Sequence, residues 1–292
     1  MKPLSSAAAK VIGWLPRKKV GQVLGGLADL SWPGPVGSAV IGAYSKAYKV
    51  DFADCERANG FDSFDDFFTR TLRPGTRPLD PHPDAILSPC DGKLESAARM
   101  ENGSSFLVKG SSYSAEDLLG SAEDAKVFEK GGACVIYLSP RDYHRVHVPV
   151  DGVVTTVRSM PGDYFPVNDL GVEHFPRLFA RNRRVAMMID SEGFGKVGLV
   201  MVAAMVVGRI TVSEIDERDV SFGLHKVSRK VRRGDELGIF HLGSTVVMFF
   251  EAGAYSTFVP ALHSPVRLGE QLTLREQVAR GEKAGARKTG ST

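Results

Sequence analysis

The chain of 292 residues carries 37 basic and 34 acidic side chains, a formal net charge of +3, and 43% hydrophobic residues. These proportions are those of a globular protein with a sizeable core, and they exclude disordered, collagen-like and disulfide-stapled chains. The three cysteines, Cys55, Cys90 and Cys134, are widely spaced and form no C-x-x-C pair, so neither a zinc knuckle nor a disulfide framework is expected. A reducing compartment suits such a chain.

The charge is unevenly distributed along the chain. Residues 1–50 carry a net charge of +6, with Asp29 as their only acidic side chain, and the remainder carries −3. Apolar residues between Val20 and Leu30 recur at helical spacing, and a second helix is predicted over residues 36–48. Short helices that follow basic residues and have one apolar face are typical of a segment lying in a membrane interface, but packing on the protein's own core would give the same period.

No stretch of the sequence predicts a membrane-spanning helix. The most apolar uncharged run, residues 197–208, has 12 residues, well below the ~20 that a bilayer requires. After about residue 85, short β-branched and aromatic runs alternate with Gly, Pro and Asp, which predicts a mainly antiparallel β domain. A helical turn is expected at Ala115–Leu119 with Ser114 as its N-cap. Strands are predicted over residues 133–138, 146–150, 152–158, 185–189, 197–207, 209–215 and 245–251.

Three short stretches carry candidate catalytic side chains. They are Ser88-Pro89-Cys90-Asp91-Gly92, Asp142-Tyr143-His144-Arg145-Val146-His147 and Phe240-His241-Leu242-Gly243-Ser244-Thr245. A serine hydroxyl becomes a good nucleophile when an imidazole removes its proton, and the imidazole does this best when a carboxylate fixes its tautomer. Asp91, one of the two histidines and Ser244 could supply these three parts.

Each candidate also has a purely structural interpretation. Asp91-Gly92 after a proline is a good turn. His144 and His147 could be metal ligands or surface residues beside a strand, and on a straight strand residues three apart point to opposite faces. The dipeptide Gly243-Ser244 could be a bend before an apolar strand. No G-x-S-x-G elbow surrounds Ser244, which disfavours an ordinary α/β-hydrolase.

The combination of motifs resembles the phosphatidylserine decarboxylase family, and most closely its bacterial membrane-associated type. The resemblance covers roughly residues 45–260, and its specific signals are the 11-residue histidine block 137–147 and the tetrad Leu242-Gly243-Ser244-Thr245. The Asp91-Gly92 pair is a weak signal by itself. Arg209 departs from the pattern, because many members carry a small polar residue at this position.

The resemblance implies an inactive proenzyme that builds its own pyruvoyl group. Ser244 would attack the carbonyl of Gly243 to give an ester, and elimination and hydrolysis would then convert the serine to pyruvoyl and ammonia. A glycine on the acyl side suits this step because it tolerates a strained backbone. By the same analogy His147 is the base and Asp91 its orienting partner, whereas His144 is expected to contact the substrate or return a proton.

The resemblance also implies the fold class and the reaction. The expected protein is α+β, with N-terminal amphipathic membrane-associating helices in residues 1–70 and a β-rich catalytic domain in 71–292, cut into a β chain 1–243 and an α chain 244–292. The pyruvoyl group would form a Schiff base with phosphatidylserine, and carbon dioxide and phosphatidylethanolamine would be released. The two chains would remain together as a heterodimer, which could assemble into a higher oligomer. The expected location is peripheral, on the cytoplasmic side of the cell membrane. Neither a metal ion nor a nucleic acid is expected.

Two other functions compete with this hypothesis. A lipid-directed Ser-His-Asp hydrolase would keep Ser244 as an internal nucleophile in an uncut chain. A non-catalytic β-sandwich module would bind membranes through its basic N-terminal segment and would need none of these side chains. Cleavage of the chain before Ser244 distinguishes the decarboxylase from both.

Overall fold

The computed structural model describes residues 10–100, 105–108, 110–205 and 209–275. Part of the expected α chain, residues 276–292, therefore lies outside the described residues. Residues 10–14 are helical, and seven further helices follow in the described ranges. These are α1 Arg17–Asp29, α2 Gly34–Tyr48, α3 Phe64–Phe68, α4 Ala115–Leu119, α5 Ala122–Lys126, α6 Asp169–His174 and α7 Leu178–Arg181.

The strands within these ranges pair in antiparallel fashion, which confirms the expected α+β class with mainly antiparallel β structure. An eight-stranded sheet has the order β11-β7-β8-β9-β13-β5-β2-β14, and a three-stranded sheet has the order β10-β12-β6. Two small sheets pair β1 with β15 and β3 with β4. The strands are β1 Ala85–Leu87, β2 Gly92–Arg99, β3 Ser105–Val108, β4 Ser111–Ser114, β5 Gly132–Leu138, β6 Arg145–His147, β7 Gly152–Met160, β8 Arg184–Ser191, β9 Gly195–Ala203, β10 Arg209–Val212, β11 Gly223–Val231, β12 Glu236–His241, β13 Ser244–Phe250, β14 Pro265–Val266 and β15 Gln271–Leu274.

Local sequence signals placed several elements correctly. The helical turn α4 has the predicted bounds, and the Ser114 hydroxyl accepts the Asp117 backbone N–H at 3.0 Å. The strand predicted over residues 146–150 is shorter because Pro149 has no N–H for a ladder, and the chain turns there. The strand predicted over 197–207 is β9, which ends at Ala203, and residues 206–208 lie outside the described residues.

The two larger sheets are related by a shared bend. In the large sheet β9, β13 and β5 lie side by side. Along the chain β9 is next to β10, β13 is next to β12, and β5 is next to β6, and β10, β12 and β6 lie in this same order in the small sheet. Three strands thus pass from one sheet to the other at one corner. The described connections at this corner include the dipeptide Leu242-Gly243, the loop 139–144, and Ala204 and Met205 after β9. The corner is where the histidine block and the Gly-Ser dipeptide meet.

Helix α1 buries its small residues and exposes its large apolar ones. Gly21, Gly25 and Ala28 face the protein, whereas Val23 is 61% and Leu27 44% exposed. The prediction of a helix was correct. Packing on the protein's core does not explain why large apolar residues recur at helical spacing, because these residues are exposed. No helix among the described residues is both long and apolar enough to span a bilayer.

Both ends of α1 are tied to the β structure by ion pairs. At the start, Arg17 donates to both carboxylate oxygens of Asp163, at 3.0 and 2.7 Å. At the end, Asp29 accepts from Arg209 at 2.8 Å. A basic residue at a helix N-terminus and an acidic one at its C-terminus oppose the helix dipole, so these residues serve the tertiary attachment of α1 and not the stability of the isolated helix.

Candidate active site at the bend between the sheets

Ser244 begins β13, the strand at the centre of the large sheet. Its backbone pairs with Leu138 of β5 on one side and Ala203 of β9 on the other. Its side chain is fully buried, and Oγ has no hydrogen-bond partner among the described residues. A buried hydroxyl without a partner is energetically costly, and this one is not engaged in a hydrogen bond that an attack on the backbone would have to break.

The backbone immediately before Ser244 is strained. Leu242 has a φ of 84° and Gly243 a φ of 37°, both in the left-handed region. Glycine adopts this region readily, whereas a residue with a Cβ does so at a cost. The strain therefore lies at the residue preceding the expected Gly243–Ser244 cleavage site.

Asp91 lies at a bend that leads into β2. The next residue must be glycine, since a Cβ on Gly92 would lie 2.6 Å from the Tyr137 carbonyl oxygen. The Asp91 carboxylate accepts from Arg77 Nε at 2.9 Å and Nη2 at 2.7 Å, and from the Leu268 backbone N–H at 2.9 Å. These contacts fix the orientation of the Asp91 side chain.

His147 is a partly buried, neutral imidazole. Its Nδ1 lies 2.9 Å from the Gly234 carbonyl oxygen, which can only accept, so Nδ1 carries the proton and Nε2 is an acceptor. The Tyr143 hydroxyl lies 3.2 Å from Nε2 and donates to it. Burial lowers the pKa of His147, while Glu236 and Asp91 counteract that effect. His147 therefore presents an unprotonated nitrogen at neutral pH.

His144 is also neutral, and it is completely buried. Its Nδ1 donates to the Asp142 carbonyl oxygen at 2.8 Å, and Nε2 has no partner among the described residues. The ring lies against Phe68, with 4.0 Å between centroids. Burial and the nearby Arg70 charge lower the pKa of His144 to about 3. Its free Nε2 is a second candidate base at the bend.

The structure brings some of the predicted site residues together and not others. The His147 backbone N–H donates to Pro89 O at 2.7 Å, so the Asp91 segment lies against His147. β6 runs antiparallel to β12, and His147 pairs with Glu236 at the start of β12. The carbonyl of His144 accepts the N–H of Phe240, which is closer to Ser244 along the chain. Within the described residues, no hydrogen bond joins Asp91 to His147 or either histidine to Ser244. The roles assigned from the sequence remain predictions.

Two contacts at this site were not foreseen from the sequence. Arg77, which binds Asp91 and also Asp54 at 2.7 Å, belongs to no recognised motif. Tyr143, which binds His147, lies inside the histidine block. Its position next to a histidine in the sequence is the signal that could have indicated this contact. Burial raises the pKa of Tyr143, so its hydroxyl stays a proton donor.

A pocket of about 440 Å³ opens beside Ser244. Its walls are mainly apolar and come from both the β structure and the helices, including Leu27 of α1, Tyr44 of α2 and Phe68 of α3. A second pocket of about 820 Å³ is more polar, contains Arg70, Arg77 and Asp91, and shares Tyr48, Tyr137 and Pro140 with the first. An apolar cavity beside a polar one suits an amphipathic ligand.

The side chains at the bend fit a group made from the chain itself. The unpartnered Ser244 Oγ follows a glycine and lies next to the apolar pocket, as conversion of this serine to a pyruvoyl group requires. Across the described ranges, no group of three or more His, Cys, Asp or Glu side chains is arranged to hold a metal ion. All three cysteines are free and buried.

The chain is similar to known proteins of one family. A family model described as phosphatidylserine decarboxylase matches residues 64–274. A phosphatidylserine decarboxylase proenzyme of Acinetobacter baumannii is 39% identical over 241 residues, which cover 81% of this chain and 84% of the relative. A protein with the same name from Bordetella pertussis is 38% identical over 277 residues, covering 90% of this chain and 93% of the relative. The chain therefore belongs to the phosphatidylserine decarboxylase family.

Proposed function

We propose that the protein is a phosphatidylserine decarboxylase proenzyme that cleaves its own chain between Gly243 and Ser244. The observation that carries the proposal is the Ser244 hydroxyl, which is buried and unpartnered, follows a strained backbone, and adjoins a large apolar pocket. The names of the relatives support the same activity and the same processing.

Maturation begins when Ser244 Oγ loses its proton and attacks the carbonyl carbon of Gly243. The Gly243–Ser244 C–N bond breaks, the nitrogen takes up a proton, and an ester replaces the amide. Loss of the Ser244 α-proton then expels the Gly243 carboxylate and leaves dehydroalanine. One water hydrolyses its imine tautomer, and one ammonia leaves as the pyruvoyl group forms. β13 stays in place because it is hydrogen-bonded to a strand on each side.

His147 is the proposed base for this cleavage, with Asp91 as the charge that supports it. The neutral Nε2 of His147 can accept a proton, and the Asp91 carboxylate favours the protonated imidazole that results. To act on Ser244 directly, Nε2 must exchange the Tyr143 hydroxyl for the serine hydroxyl. Arg77 fixes the Asp91 carboxylate, so the charge does not move during that exchange.

His144 is proposed to serve the decarboxylation. When formed, the pyruvoyl group supplies a conjugated carbonyl that accepts the electron pair left by departing carbon dioxide. The His144 ring packs against Phe68, which lines the pocket at Ser244, and its Nε2 is unprotonated and has no partner among the described residues. It can contact the substrate or exchange a proton there. The apolar walls of the pocket suit an acyl chain of phosphatidylserine.

Membrane docking through α1 accounts for its exposed apolar face. Val23 of α1 is 61% exposed, Trp14 in the helical stretch before α1 is 93% exposed, and Lys18 and Lys19 between them are also exposed. Apolar side chains flanked by lysines insert into the headgroup region and attract anionic lipids. Leu27 belongs both to this face and to the pocket wall, so a lipid has a continuous apolar route toward Ser244. This arrangement supports a peripheral position at the cell membrane, and the family resemblance implies its cytoplasmic side.

Denaturing mass spectrometry of the purified protein tests the function. We expect two chains, 1–243 and 244–292, with the smaller lighter than a serine-started fragment by the mass of one ammonia. Incubation with phosphatidylserine vesicles should release carbon dioxide and phosphatidylethanolamine. An intact chain of 31.6 kDa that releases fatty acids would instead assign the lipid hydrolase, and an intact chain inert toward lipids would assign the non-catalytic module.

Membrane docking is tested by placing a charge on the open face of α1. Val23→Asp should reduce co-sedimentation with phosphatidylserine-containing vesicles at least about tenfold, since it removes apolar contact and adds repulsion. Leu224→Asp on β11 is the matched control, because Leu224 is 46% exposed and the charge change is identical. Equal losses in the two variants, or none in Val23→Asp, would rule out docking through α1. Circular dichroism should show both variants folded.

A further inference from the structure

Leu242, the residue before the expected cleavage dipeptide, is held by the N-terminal helices. Its side chain is 7% exposed and belongs to a small core separate from that of the large sheet, together with Ala28 of α1, Ile41 of α2, and Phe67 and Phe68 of α3. Its backbone nevertheless has a φ of 84°. Because the packed side chain and the unfavourable backbone conformation belong to the same residue, the packing can hold the backbone in that conformation.

His241, one residue earlier, is tied to the same helices by polar contacts. Its Nδ1 donates to both carboxylate oxygens of Asp65 in α3, at 2.8 and 2.9 Å, and its Nε2 lies 2.6 Å from the Thr211 hydroxyl. Arg209 donates to Asp65 at 3.0 Å and to Asp29 of α1 at 2.8 Å. The network therefore links the end of β12 with the C-terminal end of α1. It also gives a structural use for Arg209, the residue that departs from the family pattern.

The other wall of the bend is attached to the helical segment as well. The Tyr44 hydroxyl of α2 donates to the Pro140 carbonyl at 3.3 Å. Arg70, which follows α3, donates to the Arg141 carbonyl at 2.7 Å. The loop that leads to His144 and the dipeptide that leads to Ser244 are thus both held from one side.

We propose that α1–α3 form a clamp that holds the Gly243 carbonyl in position for attack by Ser244, with Leu242 and the His241–Asp65 pair as its positioning residues. The proposal rests on self-cleavage at this bond. Without the clamp, Leu242 relaxes toward negative φ, and its peptide group and the adjoining Gly243 rotate. A shift of about 1 Å in a reacting group costs up to ~100-fold in rate. The clamp acts on the first step, formation of the ester.

Cleavage kinetics of the full chain, made by pulsed cell-free translation, test the proposal. Leu242→Ala should cleave at least about tenfold more slowly than wild type, and Leu242→Met should recover most of the rate because its volume is similar. Leu119→Ala is the matched control. Leu119 is also buried but belongs to the core of the large sheet, so this variant should lose thermal stability and still cleave at the wild-type rate.

The polar arm of the clamp is tested by a second pair of variants. His241→Ala should slow cleavage because it leaves the partly buried Asp65 without this donor, whereas His241→Gln should recover part of the rate because its amide can donate to Asp65. A merely structural role would lower the melting temperature of both His241 variants without restoring cleavage in the second. Recovery of the cleavage rate in His241→Gln but not in His241→Ala would therefore identify His241 as a positioning residue.

Hydroxylamine identifies the step that is slowed. It attacks an ester to give a Gly243 hydroxamate and frees a serine N-terminus, so it bypasses elimination but not ester formation. Leu242→Ala should stay slow in its presence. The clamp would be refuted if hydroxylamine restored the wild-type rate, or if Leu242→Ala and His241→Ala cleaved as fast as wild type. Failure of wild type itself to cleave would refute the proposed function instead.

Discussion

Replacing Ser244 by alanine should leave a single uncut chain without carbonyl reactivity or decarboxylase activity. The methyl group cannot attack Gly243, so no ester forms and no pyruvoyl group arises. The variant should fold, since Ser244 Oγ makes no hydrogen bond within the described residues and its loss removes only an unsatisfied polar atom. Electrophoresis, mass spectrometry and labelling with a carbonyl reagent measure the outcome.

Thr245→Val is the matched control for Ser244→Ala. The Thr245 hydroxyl is also buried and without a partner in the described ranges, but alternation along β13 turns it to the opposite face of the sheet. We expect this variant to cleave like wild type. Cleavage before residue 244 in the alanine variant would mean that another group attacks Gly243, and equal arrest in both variants would attribute the defect to packing of β13.

The sequence predicted the elements of this fold better than their arrangement. The bounds of α4 follow from its Ser114 cap, and β13 follows from a run of apolar residues that a central strand needs. Both depend on local chemistry. The bend at which three strands change sheets depends on contacts between β5, β9 and β13, which are distant in sequence, and no local pattern indicates them.

The same division applies to the candidate site. The tetrad around Ser244 and the histidine block are contiguous and could be recognised, whereas Arg77 reaches Asp91 from a loop with no distinctive pattern. Helical spacing predicted α1 but could not say which face is buried. Gly21, Gly25 and Ala28 allow close approach to the protein, and this leaves the larger residues outside. Which residues lie opposite His144 and His147 depends on the register of β6 against β12, which no local pattern predicts, and the roles of the two histidines stay predictions.

The two histidines should separate cleavage from decarboxylation. His147→Gln is expected to slow self-cleavage by about 100-fold or more, since general base catalysis is typically worth 10²–10⁴ in rate. His144→Gln should still be cut and carry the carbonyl, yet lose decarboxylation by a comparable factor. Asp91→Asn should resemble His147→Gln, because the charge that favours protonated His147 is removed. The two rates are measured on the same preparations by electrophoresis and by carbon dioxide release.

The pH dependence of cleavage gives an independent assignment of the base. The base must be unprotonated, and burial lowers the pKa of His147 below its ordinary 6.5, so the rate should be constant above that pH and fall as the pH drops through the lowered pKa. For His144 both burial and the Arg70 charge lower the pKa, to about 3. Cleavage through His144 would therefore remain constant to much lower pH. A rate unchanged down to pH ~4, together with loss of cleavage in His144→Gln, would transfer the base role to His144.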